Sequence, residues 1–187
     1  MAAQQPAERH VNGIDMEVLG GTVEAVKNDP DLGKSKFRVS NRWLGGNRNC
    51  TTVGNFHAAR KENSHRVPYE MHADEPPMLA GHDEAPNPVE HLLNALAACL
   101  TTSMVAHAAV RGIHIDELES EVEGDIDLNG FFGLSKDVPK GYSNIRVKFR
   151  VKTDEANLER LKRCAEFSPV YNTVTNPTHV EVSVEPK

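Results

Sequence analysis

The run Asn87-Pro88-Val89-Glu90-His91-Leu92-Leu93-Asn94-Ala95-Leu96-Ala97-Ala98-Cys99 places a thiol near the middle of a long apolar stretch. Ionised and reachable, such a thiol is a nucleophile; sealed in, it is a small packing group, since cysteine is among the residues most often fully buried. A thiol of ordinary pKa, about 8.5, is mostly protonated at neutral pH, and a mid-helix position gains nothing from the helix N-terminus. Activation therefore needs a cation from elsewhere. Arg48, beside Gly45-Gly46-Asn47, is the candidate, because glycines permit a tight bend that can aim a guanidinium inward. A solvated Arg48 is the alternative.

The element that must carry Cys99 is legible in the same run. Asn87 suits an N-cap, Pro88 the first helical position, and Glu90 the place from which a carboxylate reaches back to the Asn87 amide. Leucines, alanines, Met104 and Val105 cover most of the circumference, as in a helix surrounded by protein, and the alanines would let a second copy pack closely. His91 and His107 each lie eight residues from Cys99, about 80° to either side, so both are candidates to line its pocket. Structural histidines are the plainer reading.

Around this helix the periodicity predicts an α+β chain. Residues 1 to about 12 read as a frayed tail, and a helix follows from Asp15 to Asp29-Pro30 despite Gly20 and Gly21. Residues 1–33 are thus a tail and helix, and residues 34–187 one domain. Strands are expected at Lys36–Leu44 and Thr51–His57, joined by the Gly45-Gly46-Asn47 turn, with an edge strand at His65–His72 around Pro68. Asp74 to Pro86 reads as a loop. Beyond the long helix come a strand at Ile113–Leu128, a loop at Gly130–Tyr142 and a strand at Asn144–Lys152. A helix at Asp154–Phe167, a short helical turn capped by Ser168-Pro169, and a final strand at His179–Val184 complete the chain. Phe131 and Phe132, between Gly130 and Gly133, could form an apolar flap over a pocket or a plain hydrophobic plug.

Bulk properties narrow the function. A net charge of -6 without a long basic cluster leaves nothing to neutralise phosphates, so neither nucleic acid nor an anionic membrane is an expected partner. The first thirty residues lack a basic start and apolar run, and Leu92 to Val110 is interrupted by polar residues, which suggests a cytoplasmic protein. Three cysteines, Cys50, Cys99 and Cys164, suit a reducing compartment better than a disulfide framework. None sits in a CxxC pair, His65 and His72 share the face of no strand, and His82-Asp83-Glu84 reads as a solvated loop, so no metal site is expected.

Together, Gly45-Gly46-Asn47-Arg48, the run ending at Cys99, Gly130-Phe131-Phe132-Gly133-Leu134 and Ser168-Pro169-Val170-Tyr171-Asn172 resemble the OsmC/Ohr family, in the right order over roughly residues 35 to 187. The resemblance implies antiparallel sheets around a long central helix in an entwined homodimer. It also implies thiol-dependent reduction of organic hydroperoxides, with Cys99 as the attacking cysteine and Arg48 as the arginine that stabilises its thiolate. No cofactor is implied beyond an external thiol reductant. Two positions depart from the peroxidase pattern: Ser168 stands where the resolving cysteine precedes the proline, and Val89 stands where the catalytic glutamate follows Asn-Pro. Glu90 falls about 180° from Cys99 and reads as a cap. Cys164, four residues before Ser168, is the possible substitute resolver, though a buried helix residue is its plainer reading. Cys50 reads as passive. This pattern looks more like the OsmC-like branch than the peroxidases proper. The alternative function is a non-enzymatic dimeric binding or stress-associated protein that keeps an apolar pocket but has lost turnover.

Overall fold

The computed structural model describes residues 9–187, so most of the expected N-terminal tail lies outside the described residues. Residues 9–12 are not frayed: β1 (His10–Val11) pairs antiparallel with β2 (Ile14–Asp15) through a turn at Asn12-Gly13. Asp15 then caps α1 (Met16–Asn28), its carboxylate accepting from the Glu17 and Val18 amides. None of the α1 residues is buried.

The chain divides into two compact units, with the boundary in the sequence between Leu92 and Leu93. In the first, β3 (Val39–Gly45) and β4 (Arg48–Val53) form the expected hairpin, with Arg42 opposite Cys50. The second strand runs from Arg48 to Val53 rather than from Thr51 to His57. A hairpin absent from the sequence reading, β5 (Phe56–Ala58) with β6 (Lys61–Asn63), turns through Ala59 and Arg60, both at positive φ. β7 (Tyr69–Ala73) starts just after Pro68 and closes the three-stranded order β3-β4-β7 as an edge, with His72 opposite Cys50. The pleat puts Val39, Trp43, Tyr69 and Met71 on one face, all largely exposed, and Arg42, Cys50, Glu70 and His72 on the other.

The 74–86 loop is ordered by Asp74. Its buried carboxylate accepts from the backbone N–H groups of Glu75, His82 and Glu84, and a Cβ at Gly81 would lie only 1.7 Å from the Glu75 carbonyl oxygen. That close approach admits glycine alone.

α2 (Pro88–Val110) opens with the expected reciprocal cap: the Asn87 amide donates to Glu90 Oε2 and the Glu90 amide to Asn87 Oδ1, each at 2.8 Å. It is long and apolar enough to cross a membrane by length and composition. In the second unit, however, Leu96, Leu100, Met104 and Ala108 pack in a core with Ile113, Leu161, Cys164 and Ala165. β8 (Glu117–Asp125), α3 (Leu128–Phe131) and β9 (Asn144–Lys152) follow, β8 pairing antiparallel with β9. Strict alternation turns Leu118, Val122, Ile145, Val147, Phe149 and Val151 toward the core. The opposite face is a charge ladder that includes Glu117–Lys152, Glu121–Arg150 and Asp125–Arg146. β8 is shorter than the expected 113–128 strand because Ile113 belongs to the turn after α2 and Leu128 to α3.

α4 (Leu158–Ala165) supplies Leu161, Cys164 and Ala165 to the core, and α5 (Pro169–Thr175) is capped by Ser168. The final strand expected at His179–Val184 does not form: residues 177–187 have no regular secondary structure, and Val180, Val182 and Val184 are 75%, 81% and 93% exposed. The alternation is present, but a strand needs a neighbouring backbone, and none pairs with it among the described residues.

Candidate functional site

Cys99 sits in the middle of α2, half-buried, a free thiol flanked by buried Leu96 and Leu100. Its carbonyl accepts from the Thr102 hydroxyl at 3.2 Å. The residue is therefore neither sealed in the core nor fully solvated. Leu100, the next residue, lines an apolar cavity of about 430 Å³ with Met104, Val147, Phe149, Val151 and Tyr171.

Arg48 belongs to the first unit and Cys99 to the second. The Gly45-Gly46 turn places Arg48 at the start of β4, where its Nη1 lies 3.4 Å from Glu84 Oε2. Glu84 is held in turn by the Asp74 carboxylate through its backbone N–H. Arg48, Asp74 and Glu84 line a small crevice with Leu44, His72 and Ala85. Burial alone would push the Asp74 carboxyl up, but the Glu75, Glu84 and His82 amides together hold it below the ordinary aspartate range. Glu75 beside it is pushed up by its own burial, then by the Asp74 and Glu90 charges. Sequence reasoning passed over Asp74 as one acid among several in a proline-rich loop.

The other candidates are distributed. His91 Nε2 lies 2.9 Å from the His72 carbonyl oxygen and so ties the start of α2 to β7. His107 stacks on Phe167 at 4.1 Å between ring centroids, and its Nδ1 lies 3.2 Å from Arg111 Nη1, the geometry of an acceptor. Burial, then the Arg111 charge, pushes its pKa down. Arg111, Phe167 and Cys164 line one cavity together with Arg160 and Arg163. His107 is thus engaged with this basic cluster. Cys164 is 2% exposed and part of the core. Ser168, fully buried, spends its hydroxyl oxygen on the Tyr171 amide at 3.1 Å. Phe131 and Phe132 lie edge to face at 5.1 Å and are largely exposed. Glu90 is the helix cap.

A family model described as "OsmC-like protein" matches residues 81–183, more than half of the chain and a span that includes Cys99, Cys164 and Ser168. No curated protein matched the sequence. The fold is similar to that of an OsmC-like protein from Mycoplasma pneumoniae, with a TM-score of 0.58 and 17% identity over 76% of this chain and 89% of that one. It is also similar to an organic hydroperoxide resistance protein, OsmC, from Legionella pneumophila, with a TM-score of 0.50 and 16% identity over 74% and 88% of the two chains. An OsmC-like protein of unknown function from Vibrio cholerae matches with a TM-score of 0.50 and 12% identity over 74% and 93%. In each of these the antiparallel α+β architecture is shared at low identity. On the family match and this shared fold, the chain belongs to the OsmC-like family.

Proposed function

We propose that the chain is a homodimeric, thiol-dependent reductase of organic hydroperoxides in which Cys99 is the reacting group. The observation that carries this reading is the half-buried free thiol of Cys99 on α2, within the span matched to the family. In the first step the thiolate attacks the terminal peroxide oxygen and the O–O bond breaks. With one proton from solvent the products are an alcohol and a Cys99 sulfenic acid. Arg48, assigned by resemblance, stabilises the thiolate by its charge. The apolar cavity lined by Leu100, the residue after Cys99, supports a substrate with a hydrocarbon body.

The second step needs another thiol. Cys164 is packed into the core and Ser168 is a capping hydroxyl, so neither is placed as a ready resolver. Two external thiols, or one dithiol, reduce the sulfenic acid to the thiol, releasing water and a disulfide. This division of labour makes turnover slow relative to a two-cysteine enzyme, and a reducing, cytoplasmic setting suits it. The exposed apolar face formed by Val39, Trp43, Tyr69 and Met71 supports a second copy as its cover.

The test is cumene hydroperoxide consumption with a dithiol reductant. Native protein and Cys164→Ser are expected to turn over, while Cys99→Ser loses at least about 100-fold, as for removal of a nucleophile. Equal turnover in native protein and Cys99→Ser would remove Cys99 as the reacting group, and no turnover in the native protein would leave the chain a binding protein of this fold.

A further inference from the structure

We propose that Cys50, His72 and Glu70 form a binding site for a divalent transition metal, zinc being the natural occupant, independent of the chemistry at Cys99. The three side chains come from adjacent strands on one sheet face. Cys50 lies on the central strand β4, His72 is directly opposite it on β7, and Glu70 is two residues from His72 on the same strand and the same face. Cys50 Sγ lies 4.0 Å from His72 Nε2, and one donor atom from each of the three residues lies within 4.8 Å of the others.

The donor chemistry suits zinc, a borderline-soft ion that takes thiolate, imidazole and carboxylate together. A tetrahedral zinc, with Zn–S about 2.3 Å and Zn–N about 2.0–2.1 Å, sets sulfur and nitrogen about 3.5 Å apart. Closing from 4.0 Å requires only small side-chain rotations. The strand register already fixes the three backbones, so little ordering remains to oppose binding. Cys50 is buried while His72 and Glu70 are exposed, which lets the ion reach the thiol from solvent and leaves its fourth position open to water.

Charge is balanced as well. Binding deprotonates the thiol, M²⁺ displacing one proton into solvent, so one thiolate, one carboxylate and one neutral imidazole cancel the two charges of the ion. Arg42, in register with Cys50 from β3, then faces a neutral centre rather than a dication. A spacing motif could not reveal this site, because Cys50 stands twenty or more residues from Glu70 and His72 and meets them only through the pairing of β4 with β7.

The test is titration of cobalt(II) into the reduced, untagged full chain. A near-ultraviolet thiolate-to-cobalt charge-transfer band is expected, saturating at one ion per chain and displaced by zinc. Cys50→Ser abolishes the band, His72→Gln and Glu70→Gln each weaken binding at least about tenfold, and Cys99→Ser leaves both band and affinity unchanged. His72 and Glu70 are surface residues, so their variants decide the matter even where Cys50→Ser fails to fold. No band in the native chain, a band lost only with Cys99→Ser, or native affinity in His72→Gln would each overturn the site. None of these outcomes bears on peroxide turnover.

Discussion

Asp74 keeps a carboxylate where solvent does not reach, and the three amides that surround it hold its pKa down against the effect of burial. An acid depressed in the folded state contributes stability above its unfolded-state pKa, about 3.9, and loses it as pH falls through the folded value. Asp74→Asn is therefore expected to lower Tm at neutral pH, with the gap to native protein narrowing below about pH 4. Melting curves across that range check it. His107 is shifted in the same direction for a different reason: burial and then the Arg111 charge disfavour its cation, so an NMR titration should place its midpoint below the ordinary 6.5. At this scale the sequence disclosed residue types better than partners. Cys99 could be chosen from its place in an apolar run, whereas the burial of Asp74 depends on loop amides from residues 75, 82 and 84, and the pairing of His107 with Phe167 depends on where α4 ends.

The elements were legible where their signals are local. The Asn87–Glu90 box and the Ser168 cap can be read from four consecutive residues, and both are present. Asn87→Ala is expected to cost about 1 kcal/mol, measured by urea denaturation, and Glu90→Gln less. Neither change should alter peroxide consumption by the folded protein, because Glu90 acts as a cap. The β5–β6 hairpin escaped notice because its two-residue turn uses Ala59 and Arg60 at positive φ, where Asn or Gly would have announced it. In the core of the second unit, Leu161 is 1% exposed and packs with Leu100 and Met104. Leu161→Ala should therefore cost about 2–5 kcal/mol, seen as a lower denaturation midpoint.

At the scale of the whole molecule, the antiparallel α+β architecture follows from alternation and helical period, which belong to the chain itself. The strand expected at 179–184 carries the same alternation and yet has no paired strand among the described residues, because pairing depends on a backbone that periodicity cannot supply. In the proposed homodimer the partner supplies that backbone. Sedimentation should give the mass of two chains, and hydrogen exchange at residues 179–184 should slow as protein concentration rises through the dimerisation range. A monomer with fast exchange at every concentration would remove the dimer from the account. The central claim, that Cys99 is the atom that meets the peroxide, is tested most directly by trapping its oxidation product. After one equivalent of cumene hydroperoxide, with dimedone present, peptide mass spectrometry should find the adduct on Cys99, with a lower yield in Arg48→Met. An adduct confined to Cys50 or Cys164, or none at all, would contradict it.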